Sequence, residues 1–593
     1  MQSIKIKKKK IIRIYNKLYL KNIDNLNISE IEGLDLSNCN IKDLSFLKDA
    51  KFEKIETLNL SKNFHMSNLD ILEKVNLKEL KELIITRSFL EDITFLEKAR
   101  FEKLEKLDLS DNCDEIPNIN ILEKCNFINL KELHLRETYL KDLNFLERVK
   151  FEKLEILNLS SNYKAKNFKA LEKANFKELK ELNLSHCELE DISFLKNVNF
   201  EKLEILNLGL NYDLSNFEVL TKVNFKGLKE LDIHYCDLSD ISFLKTVNFK
   251  KLEKLIMDCD KIININALEK VNFKELKELE LSSCGLTDVS FLEKLNFKKL
   301  EKLFLSCNNI ENIDILEKAN FKELKELDIS ACFISDISFL ERVNFNKLEK
   351  LILTANSISN FNILEKVDFK ELKILEAYNS NLNDLKFLEN TKFKKLEILN
   401  ISGNYQLSNI NALEKVNFKE LKEINLSEYN INDISVLVKV NFEKLEILRL
   451  DRNKISNYNI LKELNFSKLK KLYLSSCFIT DISFLENTSF KYLELLDLSD
   501  NYQISNISVL ENIVLKELKE LYLKNCNISD ISFLKNVKFE KLEKLNLGCN
   551  SIVNYELLEE LQFNNLNECK ISDIEFLKRV GYEVSFPLGY ERQ

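Results

Sequence analysis

With 593 residues and 88 Lys and Arg against 96 Asp and Glu, the chain carries a net charge of only −8, its acidic and basic residues closely alternating. Such a surface has no broad positive field for a phosphate backbone, which argues against a nucleic-acid partner. Apolar residues at 45% and charged residues at 31% are the balance of a soluble folded protein, not of a disordered or membrane-embedded one.

Residues 1–30 match the rest of the chain poorly. They open with a run containing Lys7 to Lys10 and are charged throughout, so neither a signal peptide nor a membrane span is expected there. We read them as an N-terminal cap over the open end of a repeat core, with the basic run solvated. From Ile31 to about residue 579 one unit recurs. Its clearest copy is Leu179-Lys-Glu-Leu182-Asn-Leu184-Ser-His-Cys187-Glu-Leu189. The alternation Leu182-x-Leu184 predicts a short strand with both leucines on one face, and Cys187 marks the turn after it. The steps are mostly 24 or 25 residues, giving about 23 units. No linker or composition shift interrupts them, and residues 580–593 read as a C-terminal cap.

The units alternate in kind, so the true period is near 49 residues. Odd units carry Cys, Ser, Thr or Tyr at the turn (Cys187, Ser88, Thr138, Tyr429), and even units carry Asn (Asn162, Asn211), with Asp260 as an exception. A few residues later odd units place Asp, such as Asp191 and Asp240, and even units Asn, such as Asn216 and Asn264. Both types are expected to N-cap the turn immediately after them. A second apolar position then recurs as Phe127, Phe151, Phe176 and Phe200, predicting a spine of rings on the convex side.

The pattern L-x-x-L-x-L-x-x-(N/C)-x-L in register through the chain resembles the leucine-rich repeat superfamily. The short units and their N-x-I-x-(D/N)-I-x-x-L continuation are similar to the internalin-type and phosphatase-regulator-type subclass. The Cys/Asn alternation is similar to the longer-unit ribonuclease-inhibitor class. The resemblance implies an α/β repeat solenoid, a leucine-rich repeat horseshoe with a concave parallel β-sheet and short α or 3-10 segments on the convex side. It implies partner binding on the concave sheet, without naming the partner.

Thirteen cysteines raise the question of disulfides or zinc. Eight of them sit at the turns of odd units, about 10 Å apart if strands are spaced roughly 4.8 Å. That is beyond the Cα separation of about 7 Å that a disulfide bridges, so buried free thiols and a reducing, cytoplasmic location are expected. The histidines His134, His186 and His234 belong to alternate units and fail as metal ligands on the same spacing. Lys-Glu before the strand leucine in odd units faces Glu-Lys in even ones, predicting cross-strand ion pairs.

No Gly-rich phosphate loop, G-x-S-x-G or H-E-x-x-H is present. The expectation is therefore a non-catalytic scaffold without cofactor or metal, monomeric, binding a protein partner. Its anchors are sought where the motif leaves the concave columns free. One group comprises Arg87, His134, Arg136, Tyr139, His186, His234 and Tyr235; the other comprises Tyr378, Arg449, Asp451, Arg452 and Tyr473, with Glu376 beside them. Tyr, Arg and His are anchor types at interfaces. The alternatives are a secreted or surface-displayed internalin-like adhesin, or an enzyme-inhibiting repeat protein.

Overall fold

The computed structural model describes residues 11–13, 31–48, 52–64, 66–112, 116–259, 262–407, 409–488, 490–560 and 568–570. The expected C-terminal cap, and all but 11–13 of the expected N-terminal cap, lie outside them. The described residues fall into two compact units. One runs up to Leu286 and includes Ser290–Leu303; the other takes Thr287–Val289 and continues from Phe304.

Each unit is a leucine-rich repeat solenoid. Three-residue strands pair in parallel one after another, from Ile11–Arg13 to Glu278–Glu280 in the first unit and from Glu326–Asp328 to Glu568–Lys570 in the second. Register is set by the leucine columns, so Leu182 lies between Leu157 and Leu206. Leu182 and Leu184 are fully buried, as the period-2 alternation requires. The residues between and before them are half-exposed on the opposite, concave face. After each strand the chain turns, then forms a short 3-10 segment such as Ser193–Lys196 or Phe217–Thr221. The 3-10 segments among the described residues run three to six residues, reaching past the three to four residues at which such runs commonly stop.

The phenylalanine spine forms as expected. Phe127 and Phe151 stack with centroids 6.1 Å apart, and Phe176 and Phe200 at 6.5 Å, all four buried.

Two different devices join successive units, which explains the 49-residue period. The side chain of Asn211 reaches back to the preceding odd unit. Its Oδ1 accepts from the amides of Cys187 and Leu189 (2.9 and 3.0 Å), while its Nδ2 donates to the carbonyls of Leu184 and Leu208. Asn162, Asn356, Asn404 and Asn501 repeat the arrangement. The thiol joins the other interface: Cys187 Sγ donates to the carbonyl of Leu159, Cys236 to Leu208 and Cys477 to Leu450. In the exceptional unit Cys259 Sγ donates to Ile233, a carbonyl in the register that asparagine occupies elsewhere. Cys259 therefore substitutes for the staple there, and Asp260, the turn residue expected from spacing, lies outside the described residues.

One capping expectation is corrected. The odd-unit aspartates do accept the first free amide of their own turn: Asp191 from Ser193 and Asp240 from Ser242, both at 2.7 Å. Most even-unit asparagines do not. Asn264 accepts instead from the Ile241 amide of the preceding unit and donates to Asp240, and Asn360 does the same with Ile337 and Asp336. An aspartate has no donor to offer, whereas an amide holds a neighbour's carboxylate and a neighbour's N–H at once. Asn409 alone among the described examples caps its own segment, accepting from Asn411.

Candidate functional site

The solvent-facing side of each sheet is crossed by two columns of ion pairs. In the outer column Lys180 meets Glu155 at 2.6 Å, Lys277 meets Glu253 at 2.6 Å and Lys422 meets Glu397 at 2.6 Å. In the inner one Lys106 meets Glu132 at 3.0 Å, and Lys254 lies between Glu230 (3.5 Å) and Glu278 (3.2 Å). Opposite charges on adjoining strands neutralise most of the surface.

The inner column is interrupted in both units: by Ile374, Ile398, Ile447 and Leu495 in the second, where Arg449 supplies the cation for Glu423, and by two isoleucines in the first. Ile156 and Ile205 stand where lysines stand at 106 and 254, and Glu181 lies between them, register-paired to both. Glu181 makes no ion pair among the described residues. Burial raises its carboxyl above the ordinary range; Glu230 and Glu132 push the same way and His134 opposes them.

In the first unit the expected anchors form three separate groups. Arg87 Nε and Arg136 Nη1 converge on Asp111 at 3.1 and 2.9 Å, and Arg136 also reaches Glu137 at 3.5 Å. Tyr139 packs edge-on against Tyr163 (5.3 Å), the Lys164 ammonium lies 5.4 Å from the Tyr139 ring, and Tyr163 continues to His186 (6.5 Å). His234 Nδ1 lies 2.5 Å from Asp232 Oδ1, with Tyr235 edge-on at 5.5 Å. The hydrogen bond that its Nδ1–H donates to Asp232 holds the His234 imidazole above its ordinary value, against the opposing effect of burial. His134 lies apart, 3.3 Å from Glu132. Among the described residues no group of His, Cys, Asp or Glu is placed to hold a metal ion.

The second unit brings its residues into two groups. The Arg449 guanidinium lies 4.1 Å from the Tyr473 ring centroid and donates to Glu423 at 2.9 Å, a stacked and braced cation. Asp451 is bound to its own sheet, accepting from the Ser475 amide (2.9 Å) and the Ser427 hydroxyl (3.2 Å), and burial raises its carboxyl. Arg452 reaches Glu428 at 3.3 Å, beside the Tyr405 hydroxyl at 3.5 Å. The Glu428 charge raises Tyr378 above the usual phenol value. Glu376 lies 3.7 Å from Lys350.

Sequence reasoning missed the residues that hold these groups in place: Asp111, Tyr163, Glu428, Gly209 and Gly403. A side chain at Gly209 would collide with the His234 ring, and one at Gly403 with the Tyr378 ring. It also missed a row of exposed rings just after the turn: Phe64 and Tyr212 in the first unit, and Phe333, Tyr405, Phe478 and Tyr502 in the second. The available signal was the recurrent Asn-Tyr pair at 162–163, 211–212, 404–405 and 501–502.

A family model described as "Leucine Rich repeats (2 copies)" matches residues 274–318 and 467–512. Among solved structures the chain is similar to an internalin of Listeria monocytogenes, at 23% identity over 58% of this chain and 84% of the other, TM-score 0.40. It is also similar to the plant peptide hormone receptor RGFR1 in complex with RGF2 (19% identity, 84% and 95% covered, TM-score 0.38). A leucine-rich repeat protein of Leptospira interrogans aligns at 16% identity over 95% of this chain and all of its own, TM-score 0.35. No curated protein matches the sequence.

Proposed function

We propose that the chain is a non-catalytic recognition scaffold that holds a partner protein on its concave sheet face, working as a monomer in a reducing, cytoplasmic compartment. One observation carries this reading. Twice a glycine stands where any side chain would collide with a large ring of an adjoining unit, Gly209 with His234 and Gly403 with Tyr378. A ring seated on backbone is pre-organised, which lowers the ordering cost of binding.

The anchors assigned to contact are Arg87, His134, Arg136, Tyr139, His186, His234 and Tyr235 in the first unit, and Tyr378, Arg449, Asp451, Arg452 and Tyr473 in the second. The neutralised ion-pair columns favour a protein over a nucleic acid. The buried free thiols support the compartment.

The test is affinity capture with mass spectrometry, comparing wild type with a variant substituted at His134, Arg136, His234 and Tyr235 together. Captured partners should be lost while the melting temperature, measured in mildly alkaline solution, holds. Unchanged capture, or a fall in melting temperature that accounts for the loss, sinks the reading.

A further inference from the structure

The second unit has an Ile398, Glu423, Ile447 stretch in the inner column whose carboxylate is met by Arg449 at 2.9 Å; the matching stretch of the first unit has no such cation among the described residues. From Glu132 to Glu230 the column reads Glu132, Ile156, Glu181, Ile205, Glu230 on five successive parallel strands. Lys106 satisfies Glu132 at one end and Lys254 satisfies Glu230 at the other. Glu181, in the middle, is half-buried and has neither an ion pair nor a hydrogen bond among the described residues. A half-buried carboxylate between two aliphatic side chains has lost part of its hydration and gained no cation in return. Beside it runs a second row, Asn158, Asn183 and Asn207, on the same three central strands. Each asparagine spends its Oδ1 on its own strand, accepting from the amide of Ser160, Ser185 or Gly209 at 2.9–3.0 Å. The three Nδ2 groups carry no hydrogen bond among the described residues.

We propose that strands 132–134 to 230–232 form the docking surface for an extended basic segment of a partner protein. A Lys or Arg side chain of that segment pairs with Glu181 between Ile156 and Ile205, and its main-chain carbonyls accept from Asn158, Asn183 and Asn207. The inference rests on the concave-face reading above and adds the chemistry of the partner. Charge complementarity selects the occupant: the gap lacks one cation, which a basic side chain supplies with its apolar stem against the isoleucines. The paired asparagine donors select a chain with free carbonyls, which is an extended peptide.

The experiment uses the full chain and a displayed library of random peptides about twelve residues long, whose extended reach of roughly 40 Å exceeds the four strand steps of about 4.8 Å each. Two variants accompany wild type. Glu181→Gln removes the charge at constant shape. Ile156→Lys with Ile205→Lys restores the lysines found at 106 and 254, so the fold tolerates it, and melting curves confirm that. Wild type should enrich peptides carrying Lys or Arg, and both variants should bind them about tenfold more weakly or worse. Enrichment of acidic or uncharged peptides that the double variant still loses overturns the basic assignment and leaves the concave-face reading standing. Peptides that bind every sheet-face variant like wild type overturn both. Absence of any enrichment also overturns the basic assignment.

Discussion

The imidazole of His234 lies over the backbone of Gly209 just beyond the adjoining strand, in space that a methyl group at that position would occupy. Gly209 takes the column that Ser160 and Ser185 take in the two preceding units, and it does not need a left-handed φ. Its missing side chain serves the neighbour, not its own backbone. Gly209→Ala should therefore displace His234 from Asp232, while its effect on stability stays within about 1 kcal/mol, because alanine also restricts the unfolded chain. The measurement is the imidazole chemical shift through a pH titration. A titration of His234 unchanged by Gly209→Ala refutes the seating.

The same pair sets a pH dependence. His234 has its folded value raised above 6.5, with the bond to Asp232 as the main cause. A raised value on a cation stabilises the folded state fully below the unfolded value, and that stability is lost as pH rises through the folded value. Asp232 and Asp258 are the carboxylates that hold it up. The stability gap between wild type and His234→Gln should thus be largest below about pH 6 and should close in mildly alkaline solution. Chemical denaturation at several pH values reads it directly. A gap that widens with pH is the contrary result.

Asn211→Leu removes a side chain that holds five backbone groups. The amides of Cys187 and Leu189 and the carbonyl of Leu184 would be left buried without it, while the Leu208 carbonyl keeps the Cys236 thiol. With a penalty of about 1–3 kcal/mol for each orphaned group, partly relieved by relaxation, a total loss of roughly 3–5 kcal/mol is expected. Asn216→Leu, at a more exposed staple, should cost far less. Equal losses in urea denaturation would contradict the distinction.

Burial pushes the thiols of Cys187, Cys236, Cys332, Cys477 and Cys526 up to about 12. Cys307 and Cys549 are exposed. Since the thiolate is the reactive form, brief iodoacetamide treatment of the native protein at pH 8 should mark the two exposed positions and spare the five. Peptide mapping decides, and early labelling of Cys187 would refute the buried-thiol staple.

Asp451 behaves oppositely to the turn aspartates. Its carboxyl is raised by burial, so the folded state binds its proton more tightly than the unfolded one, and the stability this confers falls as pH rises through the folded value. Asp191 and Asp240 are lowered, chiefly by hydrogen bonds from Ser193 and Ser242, and their contribution is lost only as pH falls below the ordinary carboxylate range. Asp451→Asn should therefore stabilise at pH 7 by about 1 kcal/mol, whereas Asp191→Asn should not. A destabilised Asp451→Asn variant would show that the charge itself is needed.

The alternation Leu182-x-Leu184, repeated at a constant step, determined the strand, its buried face, its parallel register and the stacked phenylalanines. These arise from local chemistry copied in series, and each copy needs only its neighbours. The Lys/Glu columns were legible for the same reason, because strand register converts sequence offset into adjacency. Tertiary structure alone decided the rest. That Asn216 holds Asp191 instead of capping its own turn, that Arg87 and Arg136 share Asp111, and that His234 lies on Gly209 all depend on which way a side chain leans across a strand gap. Two residues some 24 positions apart can satisfy a polar group equally well by the motif, and only packed geometry chooses the one that leaves no buried donor or acceptor idle.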